Sequence, residues 1–465
     1  MKKFSAVVVV TVFMIAMLMT GCRRGGDDTS TLLVKVENDD RSRIPNATVV
    51  LGDSNGSMIE SKTTDSHGEA TFSNPPANAT VTAAATMSCS TYTDKDIFVR
   101  YDVNVSTVTA GLDLCDGRSA AAGVDIINVN ITNIPAEATR YHVQWGGRSQ
   151  YQYGTIISGA GTEQIEVGTH DLQSDGKVSI VVVADDSSYL PMSYGVLTDI
   201  TPISGMTVTI AANQVFTNTI QYQLNNIPAT AKSIIRYIWE SRKQKADEWG
   251  GVGLYFANLT TTGTSTAISV PYIPDFGDKF EYSAWLELDQ NNNGSIDSSA
   301  RIFRVGDLLE DQTFDMSQVP SIPINLTITG NNTATPTFSW SGGDPSAHVI
   351  AINAYTAEYY FYFWASPART SVTFPELPDT LAAFRPTAIT NLYVDSYRYD
   401  MFTSYADYES KIERYENGTW IIPAVYTIFG SGGRYSTTQT LAPALSKTAA
   451  PSMKTKRTNR FGMPR

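Results

Sequence analysis

The chain has 465 residues, of which 42% are hydrophobic and 17% charged, and its formal net charge is −12. Acidity of this degree excludes nucleic acid as a main partner, because contact with phosphate requires an excess of Lys and Arg. Low charge together with frequent Thr, Val, Ile and Tyr is typical of β-strands. At roughly 100 to 150 residues per domain, the length corresponds to three or four domains. The composition therefore predicts an all-β protein of several domains.

The first 21 residues have the features of an export signal. Two lysines precede an apolar run from Ala6 to Met19, which is too short to span a bilayer comfortably. The sequence MTGC, which ends at Cys22, resembles the lipobox of bacterial lipoproteins, with Met where Leu is usual. The resemblance implies a diacylated Cys22 that anchors the protein in a membrane of the bacterial cell envelope, the outer membrane by expectation. The alternative is a soluble secreted protein. Residues 22–30 are predicted to be a flexible tether.

Residues 31–116 are predicted to form the first β-sandwich. Apolar residues alternate from Leu32, the sequence IPNA follows at 44–47, and TDSHGEATF at 64–72 predicts a turn that leads into a strand. This pattern resembles the carboxypeptidase regulatory-like, or transthyretin-like, domains of bacterial surface proteins, in which the Gly serves the turn and the Phe the core. The resemblance implies a β-sandwich and brings no catalytic residue with it.

Two cysteines, Cys89 and Cys115, lie in this first domain. An exported protein meets oxidising conditions, so a disulfide between them is one interpretation. It would close a loop of about 26 residues and contribute roughly 3 kcal/mol. Two separate buried thiols are the alternative, and the sequence leaves both open.

A motif occurs twice, at 127–145 (INVNITNIPAEATRYHVQW) and at 221–239 (QYQLNNIPATAKSIIRYIW). Each copy has an alternating strand, then Asn-Ile-Pro-Ala, then a second alternating strand that ends at a Trp. The prolines of the two copies are 93 positions apart, which is the length of one immunoglobulin-like or fibronectin type III-like domain. We therefore expect β-sandwiches of that kind at 123–212 and 215–316.

The two copies differ by one residue in the distance from Pro to Trp. Trp145 stands ten residues after Pro135, whereas Trp239 stands eleven after Pro228. A one-residue slip inside a strand would turn every core side chain outward, so we expect the extra residue in the turn. The inward side of the second strand is then predicted to consist of Ile235, Tyr237 and Trp239.

A polar loop, DQNNNGSID at 289–297, is the strongest candidate for a metal site. Its spacing follows the calcium-loop pattern, with oxygen side chains at positions 1, 3, 5 and 9 and a Gly at position 6. Ala300 stands where an EF-hand has its Glu, so the loop resembles calcium loops inserted in bacterial surface domains more than an EF-hand. The alternative is an Asn-Gly hairpin with polar residues for solubility. The predicted Ca²⁺ ligands, with an affinity on the order of 10⁻⁴ to 10⁻³ M, are Asp289, Asn291, Asn293, Ser295 and Asp297.

Residues 320–441 are predicted to form a fourth, aromatic-rich domain. A strand with Phe-x-Trp, a turn and a second strand resemble the start of a fibronectin type III-like domain. Seven of the ten residues at 355–364 are aromatic. Tyr360, Tyr362 and Trp364 are the candidate ligand-binding residues, because exposed Tyr and Trp stack on sugar rings or anchor a protein partner. Packing in a core or a domain interface is the alternative.

The end of the chain has two further features. Tyr405, Tyr408, Ile412 and Tyr415 fall at helical spacing, which predicts one short helix inserted in the β domain. Residues 442–465 are rich in Ala, Pro, Lys and Arg without a period, and we expect a disordered basic tail.

No catalytic signature is present: the four histidines have no HExxH spacing, and GxSxG, phosphate-loop and dinucleotide patterns are missing. We therefore expect no enzyme. The interpretation is a lipid-anchored envelope protein of tandem β-sandwiches that acts as a binding, adhesion or spacer module. Two alternatives remain open, a carbohydrate-binding lipoprotein that uses the aromatics of the last domain and an accessory protein of an envelope hydrolase. The expected partners are the membrane and a protein or glycan ligand.

Overall fold

The computed structural model describes most of the chain between residues 30 and 436. The described ranges are 30–38, 42–89, 93–112, 114–115, 125–145, 150–154, 159–168, 171–173, 175–187, 190–243, 249–259, 263–277, 279–356, 360–386, 388–416 and 426–436. The leader, Cys22, the tether and the basic tail lie outside them. The described ranges contain no helix that is long and apolar enough to cross a membrane.

The chain is all-β, as predicted, and its strands fall into four groups that we name sandwich 1 to sandwich 4. Sandwich 1 contains β1 (Thr31–Asn38), β2 (Thr48–Gly52), β3 (Met58–Thr63), β4 (Glu69–Ser73), β5 (Ala79–Ser88), β6 (Thr93–Val103) and β7 (Thr107–Leu112). Sandwich 2 contains β8 (Asp125–Thr132), β9 (Arg140–Trp145), β10 (Gln150–Gly154), β11 (Gly161–Val167), β12 (Val178–Asp185), β13 (Pro191–Ile200), β14 (Thr207–Ala211) and the short β15 (Gln214–Val215).

The other two groups are built from the second half of the chain. Sandwich 3 contains β16 (Thr219–Asn225), β17 (Ala231–Lys243), β18 (Trp249–Leu259), β19 (Thr266–Pro271), β20 (Lys279–Leu288), β21 (Ser298–Gly306) and β22 (Gln312–Asp315). Sandwich 4 contains β23 (Pro323–Thr329), β24 (Thr337–Gly342), β25 (Val349–Tyr355), β26 (Tyr360–Ala365), β27 (Ser371–Thr373), β28 (Asn391–Tyr399), the helix α1 (Tyr405–Glu416) and β29 (Tyr426–Ser436). Two short 3-10 helices span Met316–Gln318 and Asp379–Phe384.

The first three sandwiches share one strand order. In each, the fourth, first and seventh strands form a three-stranded sheet, and the third, second, fifth and sixth strands form the facing sheet. The first strand pairs in parallel with the seventh in all three. Sandwich 4 differs, with its first, second and fifth strands in one sheet and the other four in the second. That is the immunoglobulin arrangement, in which the first two strands share a sheet. Thus the segments at 125–215 and 219–315 share the strand order of sandwich 1 and not that of sandwich 4.

The Asn-Ile-Pro-Ala motif is the corner that carries the chain from one sheet to the other. Asn133 and Asn226 both have left-handed backbones, with φ of 56° and 54°, a conformation that Asn tolerates better than most residues. The Ile that follows is buried in each copy. The Pro carbonyl oxygen then accepts a hydrogen bond from the Ala three residues later, at 3.1 Å in the first copy and 3.0 Å in the second. The two corners are therefore equivalent up to this Ala.

The prediction of an extra residue in the second turn is wrong. Trp145, seven residues after Ala138, is in the core of sandwich 2. The residue seven after Ala231 is Ile238, and it occupies the corresponding place in the core of sandwich 3. The core residues of β17 are thus even-numbered, Ile234 and Ile238. The inward set predicted for this strand was Ile235, Tyr237 and Trp239, and the side chains of these three residues lie outside the described part of the chain.

The sandwiches do not form a linear row. The larger sheets of sandwiches 3, 4 and 1 join edge to edge into one sheet of twelve strands. In it, β21 pairs with β29 in antiparallel fashion, and β26 pairs with β6 in parallel. Sandwich 4 therefore lies between sandwich 3 and the first domain of the chain.

Sandwich 1 is covered on both faces of its larger sheet. Val49 and Leu51 pack in the core of sandwich 1. Val50 between them packs with Phe338, Phe363 and other residues of sandwich 4. Alternation along one strand thus places two cores on opposite sides of one sheet, and residues of sandwich 1 complete the core of sandwich 4.

Ion pairs reinforce this contact. The Arg369 guanidinium donates to both carboxylate oxygens of Asp102, at 2.7 Å each, and also to the Ser54 carbonyl. Arg100 lies 3.7 Å from Glu409 of α1, and both side chains are almost completely buried. Burial raises the pKa of Glu409 above its ordinary value, against the opposing effect of Arg100.

The predicted helix is confirmed as α1. The Asp407 carboxylate accepts from Lys411 one turn later, at 3.0 Å, and the Ser404 hydroxyl accepts from the Asp407 N–H at the start of the helix. Tyr408 is buried against the aromatic face of the twelve-stranded sheet. In sandwich 1, Cys89 and Cys115 form a disulfide bond.

Replacing Asp102 with Asn is expected to destabilise the contact between sandwiches 1 and 4. Asp102 has φ of 60°, which Asn tolerates, so the substitution removes charge without straining the backbone. We expect the free energy of unfolding to fall by about 2 kcal/mol, because a paired, largely buried guanidinium loses its carboxylate. Urea denaturation measures the change.

The matched control is Asp175→Asn, which breaks an exposed ion pair with Lys177 and should leave the denaturation midpoint nearly unchanged. Equal midpoints for the Asp102→Asn variant and the wild-type protein would contradict the assigned role of this ion pair.

Candidate functional site

A cleft of about 190 Å³ lies on the twelve-stranded sheet where sandwiches 3 and 4 join. Its walls come from six strands, two of sandwich 3 and four of sandwich 4. The lining residues are Trp285, Ser299, Arg301, Asn353, Tyr355, Tyr362, Tyr393, Asp395, Tyr397, Gly430, Ser431, Gly432, Gly433 and Arg434. The volume is below the roughly 300 to 1,000 Å³ of pockets for drug-sized ligands, so the cleft encloses only a small chemical group.

Strand register explains how these side chains meet. One row across the sheet runs from Trp285 through Arg301 and Gly430 to Tyr397. The next row, two residues along each strand, contains Ser299, Gly432 and Asp395, and a third contains Arg434, Tyr393, Asn353 and Tyr362. Because side chains two residues apart share a face, all of them project from the same side of the sheet.

Glycines of β29 make this side concave. A Cβ on Gly432 would lie 2.0 Å from Asp395 Oδ1, and one on Gly430 would lie 2.9 Å from Tyr397 Cε1. Both neighbouring side chains therefore lie across the strand, in space that only glycine leaves open. A Cβ on Gly433 would instead meet the Pro323 carbonyl oxygen at 2.1 Å, on the opposite face. In the GSGG sequence, Gly430 and Gly432 thus leave room for cleft side chains on one face of the sheet. Gly433 leaves room for the backbone of β23 on the other face.

The floor of the cleft is polar and contains a partly desolvated acid. The Asn353 amide donates to Asp395 Oδ2 at 3.2 Å. Burial raises the pKa of Asp395 above its ordinary value, although Arg301, Tyr397 and Arg434 act in the opposite direction. The Arg301 guanidinium donates to the Tyr397 hydroxyl and lies 5.1 Å from the centre of its ring. Burial also raises the pKa of Tyr397 well above its ordinary value, so its hydroxyl is neutral and can donate.

The rim of the cleft is aromatic. Tyr355 and Tyr393 meet edge to face, with ring centroids 5.4 Å apart. Burial raises the pKa of Tyr355 to about 12, with Tyr393 and Asp395 adding to the effect. Trp285 forms the far wall, and its buried indole N–H has no hydrogen-bond partner among the described residues. Unsatisfied groups of this kind are rare in cores and are expected at functional sites.

The three aromatic residues that were predicted to bind a ligand lie in different surroundings. Tyr362 lines the cleft. Trp364 is only 8% exposed and packs against Tyr362, with ring centroids 4.8 Å apart, and in the cluster that contains Tyr408. The alternative interpretation, packing, describes Trp364, because α1 covers that part of the sheet, and ligand binding by Trp364 stays a prediction. The side chain of Tyr360 lies outside the described residues.

Most residues of the cleft were not predicted. Arg301, Asp395 and Arg434 are far apart in the sequence and belong to strands of two sandwiches. A weak signal did exist in the alternation of the β28 sequence, LYVDSYRY, which places Tyr393, Asp395 and Tyr397 on one face. Pairing of β21 with β29 was needed to bring Arg301 to them.

The predicted calcium loop is an ordered turn between β20 and β21. The Asp289 carboxylate accepts from the N–H groups of Asn293 and Gly294, at 3.0 and 2.8 Å, and Asp297 accepts from the N–H groups of Gln290 and Asn291. The Lys232 ammonium lies 3.2 Å from Asp289 Oδ2. Burial acts to raise the pKa of Asp289, but these partners outweigh it and the pKa is lowered.

Backbone amides and a lysine therefore already satisfy the carboxylates of this loop. Asn291 and Asn293 accept from N–H groups two residues later. Across the described ranges, no three His, Cys, Asp or Glu side chains come together as a metal site. Calcium binding by the five predicted ligands, Ser295 included, stays a prediction.

Comparison with known proteins finds no matching protein family and no matching curated protein. Solved structures with partial similarity include a leucine-rich repeat protein from Bacteroides thetaiotaomicron, with 9% identity and a TM-score of 0.16 over 42% of this chain and 26% of that one. The shaft pilin SpaA from Lactobacillus rhamnosus GG has 7% identity and a TM-score of 0.14 over 40% of this chain and 99% of the pilin. The chicken CNTN1 FN1–FN3 domains have 11% identity and a TM-score of 0.13, over 60% of this chain and 90% of that one.

At this level of similarity nothing about fold, ligand or activity carries over to this chain. The alignment spans about a quarter of the length of the leucine-rich repeat protein.

Millimolar Ca²⁺ is expected to raise the melting temperature of the protein slightly through binding to the loop at 289–297. At 5 mM ion and a dissociation constant of about 1 mM, the stabilisation is roughly 1 kcal/mol. Lys232→Met removes a cation next to Asp289 and should enlarge the shift, whereas Asp297→Asn should remove it. Differential scanning calorimetry measures the shift, with Mg²⁺ as the control ion. Identical melting curves with and without Ca²⁺ for the wild-type protein and both variants would refute calcium binding.

Proposed function

We propose that the protein is a lipid-anchored, carbohydrate-binding protein of the bacterial cell envelope, with its ligand in the cleft between sandwiches 3 and 4. The observation that carries this proposal is the combination of aromatic rim and polar floor in a cavity of about 190 Å³. Sugar rings present apolar C–H faces and a ring of hydroxyls, and they are recognised by stacking on aromatics and by hydrogen bonds from fixed polar groups.

Rigidity of the lining supports the same function. The cleft residues stand on β-strands of one continuous sheet, and not on loops. Sites built on regular elements are held more accurately and lose less entropy on binding. A role in adhesion or as a spacer is compatible with the same β-sandwich architecture. In an adhesion role, the protein would attach to a surface through the glycans on it.

Envelope anchoring rests on the leader and the lipobox-like sequence before Cys22. In a bacterial host that processes lipoproteins, we expect the wild-type protein in the membrane fraction, with a mass increase from acyl chains on Cys22. Cys22→Ser should release the protein into the soluble exported fraction. Mass spectrometry of the mature N-terminus measures this, and an unmodified Cys22 in the wild-type protein would exclude the anchor.

Glycan binding is tested with the mature chain carrying Cys22→Ser on an array of neutral and acidic oligosaccharides. We expect binding to at least one pyranose glycan. Tyr393→Ala should weaken it at least tenfold through lost stacking, and Gly432→Ala should do the same by displacing the Asp395 carboxylate. The control is Tyr435→Ala, because Tyr435 packs on the opposite face of the sheet.

The binding proposal fails if the array shows no glycan above background, or if both cleft variants bind as the wild-type chain does. Melting temperatures of all variants separate loss of the site from loss of the fold.

A further inference from the structure

We propose that the cleft selects an acidic sugar, one that carries a carboxylate, and that Arg434 holds that carboxylate. This inference rests on the proposed glycan binding and adds the chemical class of the ligand.

The cleft has the opposite charge balance to the rest of the protein. The chain has a formal net charge of −12, whereas the cleft lining contains two arginines and one acid, Asp395. The Asp395 carboxylate already accepts hydrogen bonds inside the protein, from Asn353 for one. A locally cationic, low-dielectric cleft in an acidic protein concentrates anions at that point.

Arg434 is the arginine with an available guanidinium. It lies over the Tyr393 ring, 5.7 Å from its centroid, and is partly exposed. Within the described ranges no carboxylate lies within 4 Å of it. Other arginines do have such partners, since Arg43 lies 2.6 Å from Glu37 and Arg369 lies 2.7 Å from Asp102. The Arg301 guanidinium is engaged by the Tyr397 hydroxyl.

Geometry favours a carboxylate on a sugar ring as the anion. A guanidinium is a planar fork that matches a carboxylate with two parallel hydrogen bonds, and stacking on Tyr393 fixes the plane of that fork. Tyr355 and Tyr362 line the same cleft and offer aromatic surface to the apolar face of the ring. A carboxylate attached to a pyranose ring contacts both the guanidinium and the aromatic surface. A free carboxylate contacts only the guanidinium.

The test compares methyl glucuronide and methyl galacturonide with their neutral methyl hexosides by isothermal titration calorimetry on the mature chain with Cys22→Ser. We expect at least one hexuronide to bind at least tenfold more tightly than its neutral partner, with an affinity that weakens as salt is raised. Arg434→Gln should remove the preference, so that the variant binds the hexuronide and its neutral partner with equal affinity. Arg398→Gln is the control, because Arg398 lies over Phe429 on the opposite face.

Glucose 6-sulfate and glucose 6-phosphate serve as further probes, since both present an anion on the same ring. Tighter binding of either than of the hexuronides would overturn the carboxylate assignment. Equal binding of acidic and neutral sugars, or a preference that survives Arg434→Gln, would overturn the inference while the proposed glycan binding stands. No binding of any glycan, on the array or in solution, would remove the proposed function and the inference with it.

Discussion

Pairing of sheet edges is the constraint on which the rest of this structure depends. A β-sandwich ends in strands whose backbone N–H and C=O groups have no partner on one side, and such edges pair with other strands unless they are blocked. Here β21 pairs with β29 and β26 pairs with β6, so three sandwiches share one sheet. This pairing satisfies four exposed edges at once and fixes the relative positions of domains that are distant in sequence.

Two consequences follow from the shared sheet. Strands β2, β5 and β6 of sandwich 1 acquire a second buried face, where Val50, Ile97 and Val99 pack in the core of sandwich 4. At the other junction, one surface of the sheet extends from sandwich 3 into sandwich 4. Helix α1 covers the aromatic residues near Tyr399 and Trp364, and the part that it leaves uncovered is the cleft. Helix and cleft thus occupy two parts of one aromatic face, opposite the core of sandwich 4.

The cleft combines features that oppose one another elsewhere in proteins. Glycines weaken a strand because they contribute no side chain to packing, yet here they leave room for Asp395 and Tyr397 to lie across β29. A partly desolvated carboxylate costs free energy, and nearby guanidinium groups offset that cost. Features that reduce stability and are retained inside a rigid sheet are expected where a protein binds a ligand.

The sequence alone determined the all-β composition, the short helix and the corner motif, because alternation, Pro, Asn and helical spacing act over a few residues. It did not identify Ile238 as the core residue of β17 that corresponds to Trp145, because the spacing from Ala231, and not the shared Trp, indicates that match. The sequence also indicated Trp364 as a ligand-binding residue, because an aromatic run does not show which of its residues a distant helix covers. Only the tertiary structure showed the twelve-stranded sheet and the cleft. Arg301, Asp395 and Arg434 meet through backbone pairing between sandwiches, and the sequence of an edge strand does not specify its partner.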